Sequence, residues 1–242
     1  PPPDAEALRE LEENLAFRYP HAEAVELPSK LTATGLKGRA EADADAAPLF
    51  PRREGDFRMP DFGRKDRPLS GAQRGTATHL LLQYMDFAAG ESRERVEREI
   101  ERLRLLKILS DREAGAVDAA AVVRLFTSPL GRRMLRAERL EREFRFSLLC
   151  DAGELLGRAP GEQVLLQGVV DCCIEENGAL TVIDYKTDAV RGGDAVAERS
   201  RLYAGQLRAY ALALRRIFGL PVKECVLYFL AAGQAVSLPG CP

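Results

Sequence analysis

No apolar run in this 242-residue chain approaches the roughly 20 residues that a bilayer-spanning helix needs. A signal-peptide pattern is lacking too, so a cytoplasmic location with no membrane partner is expected. Excess charge of either sign is also missing: 35 Lys and Arg stand against 37 Asp and Glu, a net charge of −2. Attraction to a polyanion would therefore have to come from local basic patches or from a bound cation. The five cysteines, at 150, 172, 173, 225 and 241, contain no CxxC pair. That spacing excludes the usual zinc motifs, and cysteines of this kind are expected to pack. A GxxxxGK[ST] loop is absent, which excludes a P-loop motor within these residues. The chain starts PPP without Met, as expected of a fragment.

What is present is ordinary for a soluble domain, with 46% hydrophobic and 30% charged residues. The length suits one substantial domain with an arm or a small helical subdomain. The informative stretch is VLLQGVVDCCIEENGALTVIDYKT, residues 164–187. Two apolar runs flank Asn177-Gly178, the dipeptide preferred in a two-residue type I′ hairpin turn. With that turn, Glu176 faces Ala179 and Asp171 faces Asp184. Directly opposed residues of an antiparallel pair place their Cβ atoms about 5 Å apart on one face. Lys186 shares that face because side chains alternate along a strand. Cys172 and Cys173, by the same alternation, point to opposite faces.

Two opposed carboxylates destabilise a hairpin unless something offsets their charge. A divalent cation would do so, and an oxygen-rich site suits Mg²⁺. The alternative is a solvated face on which Lys186 neutralises one of the aspartates. From the hairpin alone both remain open.

An Asp followed after a short hairpin by D-Y-K-T resembles the core of the PD-(D/E)XK nuclease fold in its RecB-type form. GTATH, ending in His79, and QLRAY, carrying Gln206 and Tyr210, extend the resemblance. With YPH at 19–21 and LPSKLTATGLKGR at 27–39, most of the chain is similar to the C-terminal nuclease domain of AddA-type helicase–nucleases. The resemblance implies that His79, Asp171 and Asp184 bind a metal, joined by the backbone carbonyl of Tyr185. The implied ion is Mg²⁺, with Mn²⁺ as the alternative. It further implies that Lys186 holds the attacking water and stabilises charge on the phosphate, that Gln206 orients the site, and that Tyr210 contacts the DNA strand or buttresses a ligand. Glu143, in an EFRF strand, is left outside this set. Iron–sulfur relatives need four spaced cysteines, and no such set is present. His21 is read as structural, and Thr187 and Asp188 as a strand-end cap as much as support for the site.

The organisation expected from pattern is an α/β fold with a restriction-endonuclease-like core. A mixed central sheet is flanked by helices, with a helical insertion at 91–137 before the first core strand. Residues 1–39 form an N-terminal arm and a family-like helical segment capped by Ser29, Thr32 or Thr34 and stopped at Gly38. Residues 40–69 form an irregular loop or linker, and 70–242 the RecB-type nuclease domain. Helical periods run over 4–18, from an N-cap at Ser70 through Leu80, Leu81, Tyr84 and Phe87, over 91–109 with Leu106 inward, over 113–126, and over 194–218. An edge strand is expected near Ala235–Leu238. The arginines at 132, 133, 136, 139, 142 and 145 read either as a solvated basic face balanced by nearby glutamates or as phosphate contacts. The resulting expectation is a metal-dependent exonuclease domain acting on single-stranded DNA in double-strand break repair and recombination. It would work with a helicase module of its own polypeptide and with a second, AddB-like protein. The rival is a catalytically inactive nuclease-fold module that binds DNA or a partner protein.

Overall fold

The structure is a computed structural model that describes residues 4–16, 19, 22–36, 69–187 and 193–238. The expected linker at 40–69 (Leu69 excepted), with His21, Lys37, Gly38, Asp188 and Cys241, lies outside the described residues. The chain opens with helices α1 (Ala5–Ala16) and α2 (Ala22–Val25), then a short strand, β1 (Lys30–Thr32), and a 3-10 turn at Ala33–Leu36. Helix α3 (Gly71–Tyr84) follows, then four short helices: α4 (Arg93–Leu105), α5 (Asp111–Ala116), α6 (Ala119–Thr127) and α7 (Pro129–Arg136). Strand β2 (Arg139–Asp151), helix α8 (Ala152–Leu156), and strands β3 (Gln163–Glu176) and β4 (Ala179–Lys186) come next. Helices α9 (Gly193–Arg201) and α10 (Ala204–Phe218) lead to β5 (Val222–Phe229) and β6 (Gln234–Ser237).

Among the described residues these strands make one mixed sheet of six. β2 runs antiparallel along β3 for nearly its whole length. On the other edge of β3, β1 pairs in parallel up to Thr32–Gln167, and β4 pairs antiparallel from Cys172–Ile183 to Glu176–Ala179. Residues 168–171 of β3 therefore lie between two partners. β5 extends the sheet in parallel with β4, and β6 forms the edge near the expected position.

Two cores cover the two faces. On one, α10 and the Ala33–Leu36 turn bury Phe146, Val164, Leu166, Val170, Cys173 and Val182 with Leu207 and Tyr210. On the other, α3, α4, α6 and α7 bury Cys172, Ile174, Ile183, Tyr185 and Tyr228 against Leu81, Met85 and Phe126. Helices on both faces of a sheet give the α/β layering expected. Cys172 and Cys173 do fall in opposite cores. Burial raises both thiols to about 12, which leaves them as inert packing groups.

Several local expectations are corrected. LPSKLTATG is not an α-helix: Leu31 is buried between exposed neighbours and joins the sheet as β1. The segment thus belongs to the core sheet and precedes helices α3 to α7. The span 113–126 divides at Asp118, whose side chain caps α6 by accepting from the Ala121 N–H. The span 194–218 divides at residues 202–203, between α9 and α10. Tyr84 and Leu106 face solvent, not the core. Ser70 does cap α3, accepting from the Gln73 N–H while Gln73 accepts from the Ser70 N–H, a capping box. Among the described residues no helix is long and apolar enough to cross a membrane.

Candidate active site

The hairpin places the site. Asn177 and Gly178 both adopt positive φ, 53° and 70°, as a type I′ turn requires. The ladder then runs from Glu176–Ala179 to Cys172–Ile183. Continuing that register by one residue sets Asp171 against Asp184, where β1 and β4 leave the edge of β3 open. The Asp171 Oδ2 accepts a hydrogen bond of 2.8 Å from the backbone N–H of Tyr185.

Helix α3 brings His79 to the same place. Its Nδ1 lies 3.6 Å from Asp171 Oδ1 and 3.9 Å from Glu143 Oε1, and its ring meets Tyr185 edge-on. Gly75, one turn earlier, lets α3 approach the end of β4: a Cβ there would lie 2.6 Å from the Thr187 Oγ1. Glu143 is the residue that pattern reading leaves out. It stands opposite Asp171 between the pairs Arg142–Cys172 and Phe144–Val170, with φ of 50°, a left-handed conformation rare for a strand residue. At this level both strands change the face they present. Val170 packs on the α10 side but Cys172 on the insertion side, and Phe144 and Leu140 divide in the same way. His79, Glu143 and Asp171 each offer a ligand atom, all within 4.8 Å of one another.

Asp184, only 1% exposed, faces α10. Its Oδ2 pairs with Lys186 Nζ at 2.5 Å, and its Oδ1 accepts from Gln206 Nε2 at 3.3 Å. Gln206 Nε2 also donates to the Tyr210 hydroxyl at 2.8 Å, while Gln206 Oε1 is buried with no hydrogen-bond partner among the described residues. A Cβ at Gly205 would lie 2.4 Å from the Leu36 carbonyl oxygen, so glycine there allows α10 to seat against the Ala33–Leu36 turn. The structure therefore gathers His79, Asp171, Asp184, Lys186, Gln206 and Tyr210 at one end of the sheet, with Tyr185 supplying a backbone N–H.

Charge at this site is unbalanced. Burial, reinforced by the negative charge of Asp184, pushes the Asp171 carboxyl up to about 7. Burial alone would lower the His79 imidazole, but Glu143, Asp171 and Asp184 together hold it above its ordinary value. A partly buried set of carboxylates with an imidazole, opposed by the Lys186 ammonium, is a donor set that fits a hard divalent cation. These residues can hold a metal ion.

The arginine cluster does not converge here. Arg133 bonds Glu176 and Glu224, and Arg139 pairs with Glu141. Arg142 donates to the Leu82 and Met85 carbonyls and lies over the Phe87 ring.

With the site assembled at the end of a β-hairpin in a mixed sheet, comparison with known families is decisive. A family model described as the PD-(D/E)XK nuclease superfamily matches residues 52–237. The chain belongs to that superfamily. This nuclease domain is 35% identical over 97% of its length to the A subunit of the ATP-dependent helicase/nuclease of Desulforamulus reducens. It is 38% identical over 93% of its length to the protein of that name from Moorella thermoacetica, and 34% over 94% to that of Geobacillus thermodenitrificans. It spans 19%, 16% and 19% of those three proteins.

Proposed function

We propose that this nuclease domain is a metal-dependent deoxyribonuclease that removes nucleotides from single-stranded DNA. It would act within a helicase–nuclease, alongside a motor module and an AddB-like protein, in the cytoplasmic processing of double-strand breaks for recombination. The reading rests on one observation above all: His79, Glu143 and Asp171 offer ligand atoms within 4.8 Å of one another, at the end of the hairpin where buried Asp184 pairs with Lys186. The relatives' names support the setting.

His79, Asp171 and Asp184 would hold Mg²⁺ or Mn²⁺, joined by the Tyr185 carbonyl and, from its position, by Glu143. When bound, such an ion lowers the pKa of a coordinated water and offsets charge on a phosphate oxygen. Lys186 carries a positive charge into the site, where it can orient a water and stabilise the extra charge of a phosphorane. Gln206 fixes the Asp184 carboxylate through Oδ1, and Tyr210 in turn fixes Gln206. The raised carboxyl of Asp171 means that a proton must leave before a cation binds, so metal binding releases acid below pH about 7.

The test is cleavage of end-labelled single-stranded DNA with Mg²⁺, Mn²⁺ or EDTA, comparing the protein with Asp184→Ala. Cleavage that needs both metal and Asp184 is expected. A folded protein that binds DNA without cutting it under either metal, alone or beside motor and partner, would instead establish the binding-module reading.

A further inference from the structure

The site described above leaves one contact unused. The Lys186 ammonium lies 4.0 Å from the centre of the Tyr203 ring. Tyr203 is 4% exposed and sits in the break between α9 and α10. Its N–H donates to the Ser200 carbonyl at 3.0 Å and its carbonyl accepts from the Leu207 N–H at 3.1 Å. Both helices thus anchor its backbone, and the α10-side core anchors its side chain.

We infer that Tyr203 is a positioning residue for Lys186, an aromatic clamp that holds the ammonium in place without cancelling its charge. The inference rests on the nuclease reading. A lysine ammonium rides on a flexible four-carbon stem, so one contact does not fix it. The described residues give it two: the Asp184 carboxylate at 2.5 Å and the Tyr203 ring. The carboxylate is a shared and variable partner, because a cation on Asp184 competes with the ammonium for the same oxygen lone pairs. The ring face is different. It attracts a cation through its quadrupole and is no ligand for a hard metal ion. Its hold on Lys186 therefore does not depend on whether metal is present. Being neutral, it also leaves the full positive charge of Lys186 available to a phosphate, which a second carboxylate would not. The lysine side chain is only 14% exposed, so the contact operates in a partly desolvated setting where it is strongest.

The test uses single-turnover cleavage together with a metal-free spectroscopic reading. In Tyr203→Leu the rate of the chemical step falls by about five- to thirtyfold, while KM for DNA and the Mg²⁺ concentration for half-activation stay unchanged. Tyr203→Phe, which keeps the ring, restores the rate to within about twofold. In a Lys186→Met background Tyr203→Leu adds no further loss, because the clamp acts only through the lysine. Independently of cleavage, the Lys186 ε-methylene protons, assigned by Lys186→Arg, are shifted upfield by the ring current in the unaltered protein and in Tyr203→Phe. An unshifted Lys186 signal in the unaltered protein overturns the clamp even if Tyr203→Leu fails to fold. So does a Tyr203→Leu rate equal to the unaltered one, or a loss of the same size on top of Lys186→Met. If the unaltered protein cuts no DNA with metal, the nuclease reading falls and takes the catalytic role with it, while the ring-current shift still decides whether the contact exists.

Discussion

Replacing Asp171 by Asn should stabilise the metal-free protein while destroying the site. The asparagine can still accept from the Tyr185 N–H, which now bonds the Asp171 Oδ2 at 2.8 Å, so the fold loses no hydrogen bond. What it loses is a carboxylate that is expensive to ionise. The Asp171 carboxyl is raised from 3.8 to about 7, first by burial and then by Asp184. At about 1.4 kcal/mol per unit, that displacement costs the ionised native state on the order of 3 kcal/mol. The sign follows from proton binding: between pH 4 and 7 the unfolded chain has lost this proton and the folded chain retains it. Stability associated with the group is thus fully present below about pH 4 and is lost as pH rises through about 7. Asp171→Asn should match the unaltered protein near pH 4 and exceed it at pH 8 by about 3 kcal/mol, or roughly 6–12 °C in Tm. Adding Mg²⁺ or Mn²⁺ at pH 8 should raise the Tm of the unaltered protein and leave that of the variant in place. Thermal unfolding at pH 4, 6 and 8, with metal and with EDTA, measures all of this. A stability difference that does not vary with pH would show that Asp171 is not held protonated by its surroundings, and a metal-induced rise of equal size in both proteins would show that it does not bind the metal.

Three further outcomes follow from the same geometry. Lys186→Ala should leave metal affinity, measured by calorimetry, within a few-fold while slowing hydrolysis about a hundredfold or more, as loss of a charge stabiliser does; loss of the metal instead would reassign the lysine. Glu143→Gln should weaken Mn²⁺ binding about 10- to 100-fold, the cost typical of a lost metal-site partner, and unchanged titration would place Glu143 outside the site. Gly205→Ala should destabilise by about 1–3 kcal/mol in denaturant unfolding, because its Cβ meets the Leu36 carbonyl; an unaffected midpoint would show that α10 and the 33–36 turn are free to part.

The hairpin was legible because two independent signals coincide there. Asn-Gly sets the turn, and alternation on either side sets the face, so Asp171, Asp184 and Lys186 could be placed by counting. Helical spacing put Gln206 and Tyr210 one turn apart on a shared face, but only the resemblance of QLRAY to the family motif singled them out from packing residues. Glu143 was not. Its carboxylate reaches His79 through a left-handed residue in the middle of β2, and nothing in EFRF marks that kink, since glutamate carries no preference for it. The strand β1 was hidden for a different reason. Three residues among Ser and Thr look like a helix cap, and only the long-range pairing of Leu31 with Leu166 makes them a strand. Periodicity also runs across the breaks at Asp118 and at 202–203, because the apolar faces on both sides meet the same core. That second break is what seats the Tyr203 ring over Lys186.

Anomalous diffraction from crystals of this protein soaked in Mn²⁺ would locate a bound ion directly. A manganese peak ligated by the His79 imidazole and the carboxylates of Asp171 and Asp184 is expected, lost in Asp184→Ala crystals treated in the same way. A site that stays empty at saturating Mn²⁺ while the crystals diffract, or a peak bound elsewhere on the surface, would contradict a metal site at these residues.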